Sequence, residues 1–200
     1  MDPMLRETFF FTGGTLLKAL GIVPRESNDL DFFTFHTVEG LVFTQRLREM
    51  HDLLHRLFGA EQVRTTDRGF LLAGSNMVID VVMDATPPIA PFISIGNVRA
   101  ASMSDLGAHK ASALCSRDEV KDYIDLAFLT KHQNWRLHDL ETLAEQKFGL
   151  RTVSEEKLLT ELLNKRQAFS LSSGDFLHDG ERNVSLVQQQ IDHLIQSTTL

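Results

Sequence analysis

Three aspartates lie inside or beside short apolar runs, where a globular protein ordinarily places apolar side chains. Asp29 immediately precedes the run 30–35, and Asp31 is the second residue of that run. Asp80 lies in the middle of the run 77–83. Because side chains alternate across a strand, Asp29 and Asp31 point to the same face. Neighbouring carboxylates repel each other and need a cation, a proton or water between them. A buried carboxylate without a partner is costly, so Asp80 also requires one.

If the two strands that carry them are neighbours, the three aspartates converge, and they can then bind a divalent metal ion. Oxygen ligands that leave coordination positions open suit Mg²⁺ or Mn²⁺. Such an ion can bridge the oxygens of a triphosphate and activate an attacking hydroxyl group. The structural alternative is that they are separate N-cap or turn carboxylates at strand ends, and the spacing alone does not choose between the two.

A glycine pair followed by threonine, Gly13-Gly14-Thr15, lies between a predicted strand and a predicted helix. Glycine lets the backbone approach a phosphate closely, and the start of a helix offers free N–H groups to an anion. In the chain order strand, glycine pair, helix and acidic strand, a phosphate-binding turn and a metal site can face each other. A tight structural turn is the alternative interpretation of the pair.

Basic and acidic residues alternate in a later segment of the chain. If one helix continued through this segment, Lys110, Arg117 and Lys121 would lie on roughly one face, since they are seven and four residues apart. A lysine on that face would offset the charge of a triphosphate. Asp122 and Asp125 are three residues apart and share a face; Asp125 can pair with Lys121 or Arg117, or orient a nucleophile. A solvated helix face is the alternative.

These segments, taken in order, are similar to the motifs of a known family. Gly13-Gly14-Thr15 followed by residues 25–33, Arg-Glu-Ser-Asn-Asp-Leu-Asp-Phe-Phe, resembles the first motif of the AbiEii/AbiGii toxin family. Residues 105–114 with Arg117, and then residues 121–126, are similar to the downstream motifs of that family. Val78-Ile79-Asp80-Val81 fits the strand that carries the third acid. The resemblance extends over about residues 8–130.

The resemblance implies a nucleotidyltransferase of the DNA polymerase β type. Such an enzyme moves a nucleoside monophosphate from an NTP to an acceptor with release of pyrophosphate, and Mg²⁺ or Mn²⁺ is the expected cofactor. In characterised members the acceptor is RNA, notably tRNA ends, and the protein is the toxin of a toxin–antitoxin pair in abortive infection. The expected partners are therefore an NTP substrate, an RNA acceptor and an antitoxin encoded nearby.

The resemblance also implies roles for individual residues, position by position. Nucleotide binding is implied for one group, in which Arg25 and Ser27 support the loop: Gly13, Gly14, Thr15, Arg25, Ser27, Lys110 and Arg117. Metal binding is implied for Asp29, Asp31 and Asp80. Catalytic roles are implied for Asp80, which completes the site or acts as base, for Lys110, and for one of Asp122 and Asp125.

The elements that must position these residues change in character near residue 100. Before it, apolar runs alternate with turn residues and predict strands and two helices; after it, the apolar spacing is helical almost to the end. The predicted strands are 8–12, 30–35, 62–66, 70–73, 77–83 and 97–101. The predicted helices are 15–20, 40–58, 104–115, 117–131, 137–148, 154–165 and 183–196. We expect an α+β or α/β fold, with a nucleotidyltransferase-fold mixed sheet in 1–103 and a helical region in 104–200 that completes the active site.

Composition narrows the class of protein. The 200 residues are 42% hydrophobic and 24% charged, a globular mix. No apolar run approaches the length of about 18 residues that a membrane span needs, and the N-terminus lacks the layout of a signal peptide. The net charge of −7 argues against non-specific DNA binding but leaves room for RNA on a local basic patch. The lone Cys115 excludes an internal disulfide, and together these features predict a cytoplasmic location.

A second hypothesis keeps the fold without the reaction. The acidic balance of the chain leaves little positive surface for RNA, which favours a non-catalytic module that binds a nucleotide or a protein partner. NTP binding without release of pyrophosphate would distinguish this module from an enzyme.

Overall fold

The computed structural model describes residues 3–35, 40–59, 61–66, 69–74, 77–84, 86–149 and 153–198. These residues form a seven-stranded sheet and a set of helices. The strands are β1 (Phe10–Thr12), β2 (Asp29–Phe35), β3 (Glu61–Thr66), β4 (Gly69–Ala73), β5 (Val78–Asp84), β6 (Ile93–Ile95) and β7 (Val98–Ala100). The helices are α1 (Pro3–Thr8), α2 (Gly13–Ala19), α3 (Gly40–Phe58), α4 (Met103–Ser116), α5 (Val120–Gln133), α6 (Leu137–Phe148), α7 (Glu155–Ala168) and α8 (Gly180–Thr198), with a short 3-10 turn at Ser173–Asp175.

The expected α+β fold is confirmed, and most element ends agree with the sequence to within a few residues. Helices α3 and α6 have the bounds that their apolar spacing predicts. Strand β1 starts two residues later than expected, because Thr8 ends α1. Helix α1 and strand β6 were not predicted, since six and three residues are too few to show a period.

The sheet is mixed, with the strand order β3-β4-β5-β2-β1-β7-β6. Strand β2 pairs in parallel with β5, and β1 pairs in parallel with β7. The remaining neighbours are antiparallel. A parallel pair needs a long crossover connection, and the chain between β2 and β5 contains α3 and the hairpin β3–β4.

One face of this sheet carries an apolar core. Leu30 and Phe32 alternate with the aspartates along β2, and their partners on β5 are Ile79 and Val81. These side chains belong to a cluster with two fully or nearly fully buried residues of α3, Met50 and Leu54, and with residues of β4. Because the period of a strand is two, this arrangement places the odd-numbered residues of β2 on the opposite face.

The chain divides into two compact units. Residues 1–16 and 28–102 form the strand unit, and residues 17–27 and 103–200 form the helical unit. In the helical unit, α4 packs against α5, α6 and α7, and α8 packs against α5 and α7. No helix in the described part of the chain is long and apolar enough to cross a bilayer.

Close packing in the helical unit is set by small residues and helix ends. A Cβ atom on Gly107 of α4 would lie 2.6 Å from Cζ3 of Trp135, so glycine allows the indole to pack against the helix backbone. Helix α5 ends at Asn134 in the left-handed conformation, and α6 ends in the same way at Gly149. Ser154 caps α7 by accepting a hydrogen bond from the backbone N–H of Lys157.

Candidate active site

The three aspartates share one face of the sheet in the strand unit. Asp31 and Asp80 are direct partners across the parallel pair β2–β5, and Asp29 precedes Asp31 by two residues on the same strand. Their face is the one opposite the apolar cluster, because Leu30 and Ile79 lie in that cluster. Neighbouring strands are about 4.8 Å apart, so the backbone brings Asp31 and Asp80 side by side.

Asp80 is half-buried, and its ionisation is perturbed. Burial raises the pKa of Asp80, the positive charge of Arg64 opposes this, and the negative charge of Asp29 raises the pKa further. The net effect is a pKa above the ordinary value. A bound divalent cation would reverse the effect, since it favours the ionised carboxylate.

The glycine turn lies against the acidic strand. Gly13 has φ +77°, and a Cβ atom added to it would lie 1.8 Å from Oδ2 of Asp31. The Thr15 hydroxyl donates a hydrogen bond of 2.5 Å to the carbonyl oxygen of Asp29. Gly14, which lies between Gly13 and Thr15 in the chain, is buried. Only glycine fits at position 13, because any side chain would displace the Asp31 carboxylate. The first turn of α2 is therefore fixed against the start of β2.

The aspartate oxygens share a face without being tightly gathered. Among the described residues, one group of three potential metal ligands has its ligand atoms within 4.8 Å of one another, and it is His138, Glu141 and Glu155 at the surface of the helical unit. The oxygens of Asp29, Asp31 and Asp80 do not meet that distance. Asp31 and Asp80 are register partners on adjacent strands about 4.8 Å apart, so rotation of their side chains can bring these two carboxylates together.

A second charged cluster lies within the helical unit and begins with Arg25. The Arg25 guanidinium donates two hydrogen bonds of 2.6 Å to the two carboxylate oxygens of Asp125, and a third of 2.7 Å to the carbonyl oxygen of Glu26. Arg25 and Asp125 are both buried and are 100 residues apart in the chain. This bidentate pair fixes the segment that precedes β2 to helix α5.

Lys110 of α4 connects this pair to a second carboxylate. Its ammonium group lies 2.6 Å from Asp125 and 3.0 Å from Asp122, both of which are fully buried. Arg117 completes the cluster with a contact of 2.5 Å to Asp122, although half of its side chain is exposed. Three cations and two carboxylates thus form one chain of ion pairs, which we call the buried charge network.

The charges of this network determine the ionisation of its members. Burial alone would raise the pKa of Asp122, but hydrogen bonds and charges from Arg117 and Lys110 outweigh burial and lower the pKa. Burial alone would lower the pKa of Lys110, and the charges of Asp125 and Asp122 with their hydrogen bonds raise it instead. Both groups are therefore held in their charged forms.

The condition under which Lys110, Arg117 and Lys121 would share one face, a single continuous helix, is not met. Helix α4 ends at Ser116 and α5 begins at Val120, so no continuous helix places Lys110, Arg117 and Lys121 on one face. Lys110 and Arg117 instead converge on Asp122 from different elements, and Lys121 lies 3.7 Å from Glu119. The pairing of Arg25 with Asp125 was missed, because nothing local in either segment indicates a partner 100 residues away.

The sequence predictions for the site are divided between the two units. The strand unit contains Gly13, Gly14, Thr15, Asp29, Asp31 and Asp80. The helical unit contains Arg25, Ser27, Lys110, Arg117, Asp122 and Asp125. In the strand unit, the glycine turn contacts β2, and the register of β2 and β5 places the three aspartates on one face. In the helical unit, ion pairs join Arg25, Lys110, Arg117, Asp122 and Asp125.

Several solved structures have a similar fold, and two of them illustrate the similarity. JHP933 from Helicobacter pylori is 19% identical, with a TM-score of 0.51 over 96% of this chain and 86% of that one. The antibiotic-resistance factor ANT(2'')-Ia is 15% identical, with a TM-score of 0.50 over 68% of this chain and 80% of that one. At these identities the similarity concerns the fold alone. No curated protein sequence matches the chain significantly.

A family model gives the assignment that the fold alone does not. The model described as nucleotidyl transferase AbiEii toxin, type IV toxin–antitoxin system, matches residues 2–197. This match covers nearly the whole of the 200 residues, including the glycine turn, the acidic strands and the buried charge network. The chain therefore belongs to the AbiEii family of nucleotidyltransferase toxins.

Proposed function

We propose that the enzyme uses Mg²⁺, or Mn²⁺, held by Asp29, Asp31 and Asp80, to transfer a nucleoside monophosphate from an NTP to RNA. The observation that carries the metal site is the register of β2 and β5, which pairs Asp31 with Asp80 and leaves Asp29 on the same face. Three carboxylates on neighbouring strands provide oxygen ligands and leave coordination positions open for phosphate oxygens and water.

A divalent ion at this site would stabilise charge on the triphosphate and promote ionisation of the attacking hydroxyl group. Residues of the chain would position the phosphates and the acceptor hydroxyl around this ion. Gly13 and Gly14 allow backbone N–H groups to approach phosphate oxygens beside Asp31, and Thr15 holds this turn to Asp29. Asp80 either completes the ligand set or accepts the proton of the acceptor hydroxyl. Its raised pKa supports the second role.

The buried charge network suggests two roles in the same reaction. Arg25 is held by Asp125, and the segment that contains Arg25 and Ser27 leads directly into Asp29. We therefore assign Arg25 and Asp125 to the positioning of that segment. Lys110 is the candidate for phosphate contact, and Arg117, whose side chain is half exposed, is the second one. Because Lys110 already has two carboxylate partners, contact with phosphate requires it to exchange one of them.

The RNA acceptor, the antitoxin partner and the cytoplasmic location follow from the family and stay proposals. A type IV toxin–antitoxin assignment implies that a neighbouring gene encodes the antitoxin. The alternative function is a module that binds NTP without turnover. The occupied ammonium group of Lys110 and the spacing of the three carboxylates support this alternative.

Incorporation of label from each of four α-labelled NTPs into total RNA, with Mg²⁺ present, tests the proposal. We expect transfer by the wild type and none by the double variant Asp29→Ala, Asp31→Ala. Asp52→Ala is the matched control, because Asp52 is an exposed aspartate on α3 in the same unit. NTP binding without incorporation into any acceptor would favour the alternative module.

A further inference from the structure

Arg99 has an unusual environment at the edge of the sheet in the strand unit. It lies on β7 opposite Ser94 of the edge strand β6. Its guanidinium group stacks over the ring of Phe92 at 4.4 Å from the ring centroid, and its Nη2 donates a hydrogen bond to the carbonyl oxygen of Glu7. The Nε atom is buried and has no hydrogen-bond partner among the described residues.

Arg99 lines a cavity of about 430 Å³ together with residues of α1 and of the β6–β7 hairpin. Its polar lining consists of Arg6, Glu7, Ser94, Asn97 and Arg99. Two guanidinium groups and one carboxylate give this lining a net positive charge, although the whole chain has a net charge of −7. Burial lowers the pKa of Arg99, and the charge of Glu7 partly opposes this. An anion in the cavity would offset the same burial cost.

The cavity lies on the same face of the sheet as the aspartates. Phe11 pairs with Ala100, so Phe10 and Arg99, one residue earlier on each parallel strand, share the other face. Phe10 also pairs with Phe33, which lies on the face of Asp31, two residues along β2. Strand β7 is separated from β2 by β1 alone, so Arg99 lies roughly 10 Å from the acidic strand across the sheet.

We propose that Arg6 and Arg99 bind a phosphodiester group of a single-stranded RNA acceptor. The inference rests on the proposed function, and it adds the place where the acceptor is held. Arginine is the main ligand of phosphate oxygens in nucleic-acid complexes, and serine and asparagine side chains commonly complete such contacts. The triphosphate is expected beside Gly13 and Asp31. A second phosphate site two strands away therefore suits the acceptor chain.

The position of Glu7 predicts the direction in which RNA affinity changes when a charge is removed from the cavity. Its carboxylate lines the same cavity and repels an approaching phosphate. Removal of that charge should therefore strengthen RNA binding, whereas removal of Arg6 should weaken it. Arg48 offers a matched control, because it is an exposed arginine on α3, and α3 packs on the opposite face of the sheet.

The experiment measures binding of a fluorescent single-stranded RNA oligonucleotide to the full chain at several salt concentrations, and NTP binding by calorimetry in parallel. We expect Arg6→Gln to weaken RNA binding about three- to tenfold and to reduce the slope of log K against log salt by about 0.7. Glu7→Gln should strengthen RNA binding about threefold. Arg48→Gln should leave RNA binding unchanged, and none of the three variants should affect NTP binding.

Arg99→Lys serves as the second variant, because it keeps the charge but loses the planar group that stacks on Phe92. The inference is overturned if Arg6→Gln and Arg48→Gln weaken RNA binding equally, if the wild type binds no RNA, or if Arg6→Gln weakens NTP binding instead. Failure of the proposed function is separate. If RNA binding depends on Arg6 but no nucleotide is ever transferred to RNA, the cavity is confirmed and the catalytic proposal is wrong.

Discussion

Asp31 and Asp80 are direct partners on the parallel strands β2 and β5, although they are 49 positions apart in the chain. This register puts two acids next to each other on the face that the apolar cluster leaves free. The ionised Asp80 carboxylate has a cost in the folded protein, since burial and the negative charge of Asp29 raise its pKa. A bound divalent cation offsets that cost, which links the stability of the strand unit to the proposed reaction.

Replacement of Gly13 by alanine should separate activity from stability. The left-handed φ of Gly13 costs any other residue about 1–2 kcal/mol, and the added Cβ would displace the Asp31 carboxylate. We expect the variant to fold but to lose about 100-fold in nucleotidyl transfer, since misplacement of a reacting group by about 1 Å has that effect. Urea unfolding and the labelled-NTP assay measure the two quantities.

Gly21→Ala is the control for this prediction. Gly21 has a similar φ of +70°, and no atom lies within 4 Å of an added Cβ. The Gly21→Ala variant should therefore lose only about 1–2 kcal/mol, which is the cost of the left-handed φ, while keeping full activity. Equal activity losses in both variants would show that the contact with Asp31 is irrelevant.

Lys110 should contribute strongly to the stability of the helical unit. Lys110→Met leaves two buried carboxylates without their shared cation, and such a loss destabilises a protein by about 3–5 kcal/mol. Lys18→Met is the control, because Lys18 pairs with the exposed Glu26 and such pairs contribute about 1 kcal/mol or less. Chemical unfolding of both variants measures the difference, and similar midpoints would contradict the buried network.

The free energy of unfolding should decrease at low pH, and Asp122 should account for part of this decrease. Its folded pKa lies below the ordinary value, so the unfolded chain binds the proton more readily. The ionised carboxylate therefore contributes stability above about pH 4, and this contribution is lost as the pH falls through the folded pKa. Asp122→Asn should be less stable at neutral pH and should show a flatter decline between about pH 6 and about pH 3. Parallel curves for the variant and the wild type would contradict this assignment.

Asp80→Asn should stabilise the metal-free protein and inactivate the enzyme. The pKa of Asp80 is raised in the folded state, so its ionised form opposes folding as the pH rises above the ordinary value. The neutral amide removes that effect and the repulsion from Asp29. We expect a higher melting temperature without Mg²⁺ and little further increase when Mg²⁺ is added. A lower melting temperature than that of the wild type without metal would contradict the prediction.

The sequence indicated which aspartates form the site, but not the strand pairing that brings them together. The alternation in Asp29-Leu30-Asp31 and the single acid within 77–83 are local sequence signals. In the structure, these three aspartates lie on one face of the sheet. The register between β2 and β5 depends on long-range pairing that no local pattern encodes. The contact between Gly13 and Asp31 has the same origin, because it depends on the antiparallel pairing of β1 with β2.

The sequence predicted only part of the buried charge network, because its ion pairs also depend on long-range packing. The spacing of Asp122 and Asp125 indicated a shared helix face, and both are buried on α5. The break between α4 and α5 was predicted at residue 116 but is longer in the structure, since residues 117–119, Arg-Asp-Glu, contain neither glycine nor proline to mark the start of α5. Arg25 could not be linked to Asp125, since the segment between α2 and β2 has no periodicity that shows which element it packs against.

Binding of Mn²⁺, followed by electron paramagnetic resonance with an NTP present, directly tests for a metal site at Asp29, Asp31 and Asp80. The surface group at His138 could also bind Mn²⁺, so His138→Ala is the necessary control. We expect His138→Ala to keep the NTP-dependent Mn²⁺ signal and Asp31→Asn to lose at least about tenfold in Mn²⁺ affinity. An unchanged Mn²⁺ affinity in Asp31→Asn, or loss of the NTP-dependent signal in His138→Ala, would contradict a metal site on β2 and β5.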